Sequence, residues 1–303
     1  MAEQILHNPP IHDIFTFILC LGQITGAFPL RFVENVEACS VKFRWMHYKT
    51  FYSIFHIFLL IMMTFFCACG AQMAYISWTF RHIVRTLFYA TSLWGAISLF
   101  VVVKKWPELV DKWIELDKSM AHNYGFPKNM NKRAKIMALI TTIYATGQIL
   151  IFVLYNVENT RKLARAQNVP FGHSIYFKTV FAQVFNAIPY SLILGLLCQF
   201  VFFLSIWRFA YSDLFISLIS SFLSIRLQQI TERVKFAAKK RRTIAFWREI
   251  REDYDRVCVL CKEADDAMSN IIFVTYTTNL VLLLVYLRNC TIIEGLVQLI
   301  QHF

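Results

Sequence analysis

One apolar run, residues 205–230, contains a single acidic side chain, Asp213. At about 100° per residue, Asp213 shares a helical face with Ser217, Ser220 and Ser224. A carboxylate that faced lipid would be very costly, so this face is expected to point into a helix bundle or a wet cavity. Serines permit close approach of helices within a membrane. The run is therefore predicted to form a packed transmembrane helix.

The role of Asp213 has two interpretations. One is structural: a buried acid that holds helices together through hydrogen bonds or through a partner such as Arg208 or Arg226. The other is a role in gating or ion contact. The structural interpretation is favoured over the role in gating or ion contact.

Composition places the chain among membrane proteins. Hydrophobic residues make up 57% of its 303 residues and charged residues only 17%. Several runs reach the roughly 20 apolar residues that cross a bilayer. The net charge of +12 is explained by basic residues that flank membrane spans, so nucleic acid is not expected as a partner. No enzyme motif, metal-ligand set or cofactor motif is found. We predict an all-α, polytopic transmembrane helical bundle in a lipid bilayer.

Hydropathy and charge place five spans along the chain. An interfacial or re-entrant helix over residues 11–33 precedes the first span, and a break near Pro189 precedes the fourth. The predicted spans cover about residues 50–78, 82–103, 134–155, 190–226 and 270–287.

Basic residues orient these spans. The segments 1–49, 104–135 and 226–256 hold four, eight and ten Lys or Arg residues. If residues 179–226 cross the membrane once, all 22 lie on one side and seven lie on the other. The positive-inside rule then places the N-terminus in the cytosol and the C-terminus outside.

The same reasoning divides the chain into regions. Residues 1–49 form a cytosolic N-terminal segment, and 50–226 contain spans one to four with a cytosolic loop at 104–135. Residues 227–269 form a basic, helical cytosolic region, 270–287 the fifth span, and 288–303 an extracellular tail.

Three stretches of the chain resemble the insect gustatory receptors, and within them the sugar-receptor group. They are Gln23-Ile24-Thr25-Gly26-Ala27-Phe28-Pro29 ahead of Phe43-Arg44-Trp45, then Trp207 followed by Asp213-Leu214-Phe215-Ile216-Ser217-Leu218-Ile219-Ser220 and Arg226-Leu227-Gln228-Gln229-Ile230, and Arg251-Glu252-Asp253-Tyr254-Asp255-Arg256-Val257-Cys258-Val259-Leu260 followed by residues 265–269 and Thr278-Asn279-Leu280.

The resemblance implies a plasma-membrane, ligand-gated cation channel in which four subunits, identical or mixed with other gustatory receptors, surround one pore. It also implies a sugar ligand that enters the outer half of each subunit. The resemblance extends to about Tyr286, whereas the family pattern continues with a sixth and a seventh span, the last of which lines the pore. We therefore expect a truncated chain that does not conduct by itself.

A sugar site in the outer half needs amides and charges for hydroxyl groups and aromatic faces for the apolar side of the ring. The residues near the outer ends of the spans that offer these groups at helical spacing are Arg85, Tyr89, Gln148, Tyr155, Gln183, Asn186 and Tyr190. The alternative is that these side chains satisfy one another or belong to the aromatic belt at the membrane interface.

Two other functions stay open. A short natural isoform would act as a regulatory or decoy subunit. A G-protein-coupled receptor would place its N-terminus outside the cell, which the distribution of basic residues opposes.

Overall fold

A computed structural model describes residues 10–24, 26, 28–35, 38–43, 46–73, 80–126, 130–238 and 241–301. Its elements, in chain order, are α1 (Pro10–Ile24), β1 (Leu30–Asn35), β2 (Ala38–Phe43), α2 (Tyr48–Met73), α3 (Phe80–Tyr124), α4 (Met130–Ala166), α5 (His173–Val180), α6 (Ala182–Phe185), α7 (Leu192–Ala237) and α8 (Ile244–Gln301).

Five of these helices, α2, α3, α4, α7 and α8, are long and apolar enough to cross a membrane. The predictions of an all-α fold and of five spans are therefore confirmed, and the protein is a multi-pass membrane protein. Residues 192–237 form one continuous helix rather than two. The non-helical residues between α6 and α7 include the predicted break at Pro189.

A short antiparallel hairpin is a feature that hydropathy did not predict. Strands β1 and β2 pair from Leu30 with Phe43 to Asn35 with Ala38. The hairpin lies between α1 and α2, so the helix expected within residues 11–33 ends at Ile24. Lys49 Nζ donates to Gln23 Oε1 over 2.6 Å and joins the end of α1 to the start of α2.

Residues 104–124, expected in a cytosolic loop, continue α3 as a helix. The polar composition of this part hides an apolar face that recurs at steps of three and four: Trp106, Leu109, Val110 and Trp113 are all buried. Because α3, α7 and α8 are each longer than a bilayer requires, they extend together beyond it as a helical bundle.

Among the described residues, three clusters of buried apolar side chains hold the helices together, and the two larger ones are named the inner core and the outer core after the predicted orientation. The third cluster is small and joins α4 to α7 through Ala145, Ile206 and Ala210. The inner core joins α1, α3, α4, α7 and α8 around large residues such as Trp106, Trp113 and Phe215. The outer core joins α2, α3, α5, α6 and α7 around residues such as Tyr89 and Phe181. Of the candidate ligand residues, Tyr89 belongs to the outer core and Tyr190 packs against it.

Candidate functional site

The structure brings Arg85 and Gln183 into contact. Arg85 Nη1, on α3, donates to Gln183 Oε1, on α6, over 2.9 Å. Gln183 is only 5% exposed, because the short helix α6 packs against α2 and the side chain reaches Arg85 on α3. Its Nε2 group is buried without a hydrogen-bond partner among the described residues. An unsatisfied buried donor costs roughly 1–3 kcal/mol, so this amide is poised to donate to a ligand or a water molecule.

Two further candidates lie in the same region. Tyr89 is fully buried in the outer core and makes an edge contact with Phe88, at 5.2 Å between ring centroids. Tyr190 is half-buried, and its ring lies 5.4 Å from that of Phe185, with Lys178 Nζ 5.7 Å above its centroid. The Tyr190 hydroxyl has no hydrogen-bond partner among the residues described. Tyr89 therefore serves packing, while Tyr190 offers an aromatic face and a free hydroxyl.

The other three candidates are placed differently. Gln148 is half-buried on α4, and Tyr155 is 65% exposed on the same helix. Asn186 is exposed at the C-terminal end of α6. The structure does not bring these three into the contact between Arg85 and Gln183.

A second hydrogen-bonded pair lies in this region, and the sequence analysis did not identify it. The Tyr176 hydroxyl, on α5, donates to Gln199 Oε1, on α7, over 3.2 Å. Gln199 is 9% exposed, and its Nε2 has no partner within the described part of the chain. Burial raises the pKa of the Tyr176 hydroxyl above its usual value of 10.0, so the group remains a neutral donor. An amide inside the apolar run of residues 196–201 was the signal that could have revealed Gln199.

The outer region therefore contains two buried amides, Gln183 and Gln199, each with its oxygen occupied and its nitrogen available. Both flank the outer core, which supplies aromatic rings. Free donors beside aromatic faces can bind a small polar molecule that carries hydroxyl groups.

The two arginines named as possible partners of Asp213 contact other residues, whereas the alternative of a hydrogen bond between helices is present. Asn279 Nδ2, on α8, donates to Asp213 Oδ1 over 3.4 Å. Arg208 instead contacts His56 Nδ1 on α2, and Arg226 binds Asp117 on α3. Each arginine points from α7 toward a different helix, and helical spacing alone does not reveal those directions.

The serines of the same face are not buried within this chain. Ser217, Ser220 and Ser224 are exposed, and Asp213 is half-buried. The expectation that the face points into a bundle is not met by the residues described, because the inner core packs against the opposite side of α7, at Leu218, Ile219 and Phe222.

The inner half contains a buried ion pair that sequence reasoning did not anticipate. Arg226 Nη2 lies 2.6 Å from Asp117 Oδ1, and the side chains are 2% and 1% exposed. Arg226 Nη1 also donates to Gln229 Oε1 over 2.8 Å and to the Gly125 carbonyl over 3.3 Å. The network ties α7 to the end of α3.

The inner half also has a groove between α3 and α8. It encloses about 630 Å³ and is lined by side chains including Lys112, Glu115, Asp255 and Glu263. None of the seven candidate ligand residues lines it, so this groove is distinct from the outer region.

Comparison with known proteins places these features in a family. A family profile described as trehalose receptor matches residues 3–296. The gustatory receptor for sugar taste 64a of Drosophila melanogaster is 26% identical over 272 residues, covering 88% of this chain and 59% of the relative. The gustatory receptor for sugar taste 64f is 23% identical over 290 residues, covering 94% and 60%. Gustatory receptor 5a for trehalose is 19% identical over 290 residues, covering 92% and 62%. The chain spans about three-fifths of the length of these curated relatives.

Proposed function

Because the chain belongs to the trehalose receptor family of insect gustatory receptors, which are receptors rather than enzymes, we propose that it is a sugar-taste receptor chain. In this proposal a sugar binds in the outer half and shifts the equilibrium of a cation channel toward its open state. The chain assembles as a subunit of a homo- or hetero-tetramer with other gustatory receptors in the plasma membrane.

The observation that carries the proposal is the pair of buried amides, Gln183 and Gln199, with available Nε2 donors. Sugar hydroxyls can accept from both amides while the aromatic rings of the outer core cover the apolar side of the sugar. Trehalose is the first sugar to test, because one relative is a receptor for trehalose.

The contact between Arg85 and Gln183 supports a mechanism in which sugar binding changes the arrangement of the helices. It links α3 to α6, and the hydrogen bond between Tyr176 and Gln199 links α5 to α7. A sugar held by both amides would join these four helices, so it favours the arrangement in which the two amides stand at the correct distance.

Replacing Gln183 with leucine is expected to weaken sugar binding about tenfold or more, because the substitution removes a hydrogen-bonding amide at nearly the same volume. The measurement is the sugar-dependent increase in melting temperature of the purified chain, with trehalose and a panel of other sugars. Gln148→Leu is the matched control, since Gln148 lies outside the contact. Equal weakening by both variants would contradict the assignment of Gln183.

We expect the N-terminus in the cytosol, since 22 basic residues lie on that side in the five-span arrangement. Epitope tags at the N-terminus and at residues 167–172, between α4 and α5, are probed in intact and in permeabilised cells. The N-terminal tag should bind antibody only after permeabilisation, and the inserted tag before it. The reverse result would favour a G-protein-coupled receptor orientation.

We propose that Asp213 has a structural role through its hydrogen bond with Asn279. Asp213→Leu is expected to lower surface expression or assembly severalfold, whereas Asp213→Asn keeps a polar partner for Asn279 and should retain both. Surface labelling and size-exclusion chromatography measure these outcomes. A normally assembled Asp213→Leu protein with altered ion selectivity would assign the acid to conduction instead.

A further inference from the structure

The segment between α7 and α8, residues 238–243, is named here the basic segment. Lys239, Lys240, Arg241 and Arg242 occupy four consecutive positions, and Thr243 follows them. Residues 241–243 are exposed and lie outside any helix. The next residue, Ile244, is 80% exposed although it is apolar.

The basic segment follows a helix that continues beyond the predicted fourth span. That span ends at Arg226, and α7 runs for 11 more residues to Ala237. At 1.5 Å per residue, this extension carries the end of α7 about 17 Å beyond the span. Its positive charge is therefore available to a soluble protein.

The order of the side chains matches one kind of soluble partner. Protein kinases select substrates by charge pattern, and a kinase whose substrate cleft is acidic takes basic residues on the N-terminal side of the acceptor hydroxyl. Thr243 has Arg241 two positions and Lys240 three positions before it, with Ile244 directly after it. The non-helical backbone of residues 241–243 allows the segment to enter an extended cleft.

We propose that Thr243 is a phosphorylation site for a basophilic serine/threonine kinase. The inference rests on the cytosolic orientation proposed above. Thr243 Oγ1 attacks the γ-phosphorus of Mg-ATP, the bond from that phosphorus to the β,γ-bridging oxygen breaks, and ADP leaves. The hydroxyl proton goes to the catalytic base of the kinase.

Two other threonines show what distinguishes Thr243. Thr50 also follows a basic residue, Lys49, but it is fully buried in α2. Thr231 is exposed on the same extension of α7, but its hydroxyl donates to the Leu227 carbonyl over 2.9 Å within a helix. None of the four residues before Thr231 is basic.

The structure also shows which groups would surround a phosphate on Thr243. Phe246 N donates to Thr243 Oγ1 over 3.4 Å, and the Arg242 guanidinium lies 5.2 Å from the centroid of the Phe246 ring. A phosphate on Thr243 would carry roughly two negative charges next to Arg242. Phosphorylation would therefore lower the charge of the basic segment from +4 to about +2 at the start of α8.

The test is phosphate transfer to the purified full chain in detergent, with radiolabelled ATP and the catalytic subunit of cyclic-AMP-dependent kinase as the basophilic probe. Label mapped to Thr243 and lost in Thr243→Val supports the proposal. Thr231→Val is the matched control and should incorporate label normally. Arg241→Gln combined with Arg242→Gln should lower incorporation about tenfold or more, because charge-assisted contacts to the kinase are removed.

Incorporation that persists in Thr243→Val, or that is insensitive to the two arginines, would overturn the proposal. So would antibody access to a tag in the basic segment of intact cells, which would place it outside the cell. Sugar-dependent stabilisation of the unsubstituted chain is measured in parallel. Normal sugar binding with no phosphorylation separates failure of this inference from failure of the proposed receptor function.

Discussion

Arg226→Ala is expected to destabilise the protein by about 3–5 kcal/mol, because it leaves the Asp117 carboxylate buried without its charged partner. Asp117→Ala should cost a similar amount, since it isolates the Arg226 guanidinium. The melting temperature of the purified chain and the amount of folded protein at the cell surface measure the effect. Either single variant should lower both values strongly.

A double variant distinguishes the cost of an orphaned charge from the value of the pair. Asp117→Leu combined with Arg226→Met fills the site with apolar side chains, and such replacements are often neutral or stabilising. We therefore expect the double variant to be more stable than either Asp117→Ala or Arg226→Ala.

An exposed ion pair on the same bundle provides the control. Lys112 Nζ lies 2.9 Å from Glu263 Oε1, but both side chains are accessible to solvent. Lys112→Ala should have little effect, because water screens such pairs. An Arg226→Ala protein as stable as Lys112→Ala would show that the pair between α3 and α7 does not hold the inner half together.

Gly195→Leu is expected to cost about 3 kcal/mol or more, because α7 has no room for a side chain at this position. A Cβ atom on Gly195 would lie 2.7 Å from Cγ of Phe177, on α5. Phe177 is next to Tyr176, so displacement of its ring should also weaken sugar binding. Melting temperature and sugar-dependent stabilisation are the two measurements.

Gly147 is the matched control on α4, where a Cβ atom would meet no other atom within 4 Å. Gly147→Leu should be neutral or slightly stabilising, since leucine favours a helix over glycine by roughly 1 kcal/mol. Phe177→Ala should recover part of the stability of Gly195→Leu, because the combination restores the packed volume. Equal stability of Gly195→Leu and Gly147→Leu would show that α5 does not pack against α7 at Gly195.

The amino-acid sequence alone predicted that the chain is a membrane protein, that its spans are α-helices and that there are five of them. Hydrophobic runs of about 20 residues, such as the one that contains Asp213, must form helices in lipid because every backbone group needs an internal hydrogen bond. The resemblance in residues 207–230 and 251–260 led to the sugar-receptor group, and the family profile confirms the family.

Only the tertiary structure decided which polar residues meet. Arg85 donates a hydrogen bond to Gln183, Tyr176 to Gln199 and Arg226 to Asp117. The partners are separated by 98, 23 and 109 residues along the chain. Helical periodicity assigns a residue to a face of its own helix, but the rotation of that helix and the identity of its neighbours depend on how all the helices pack. For this reason the sequence identified Gln183 as a candidate but did not identify Asn279 as the partner of Asp213.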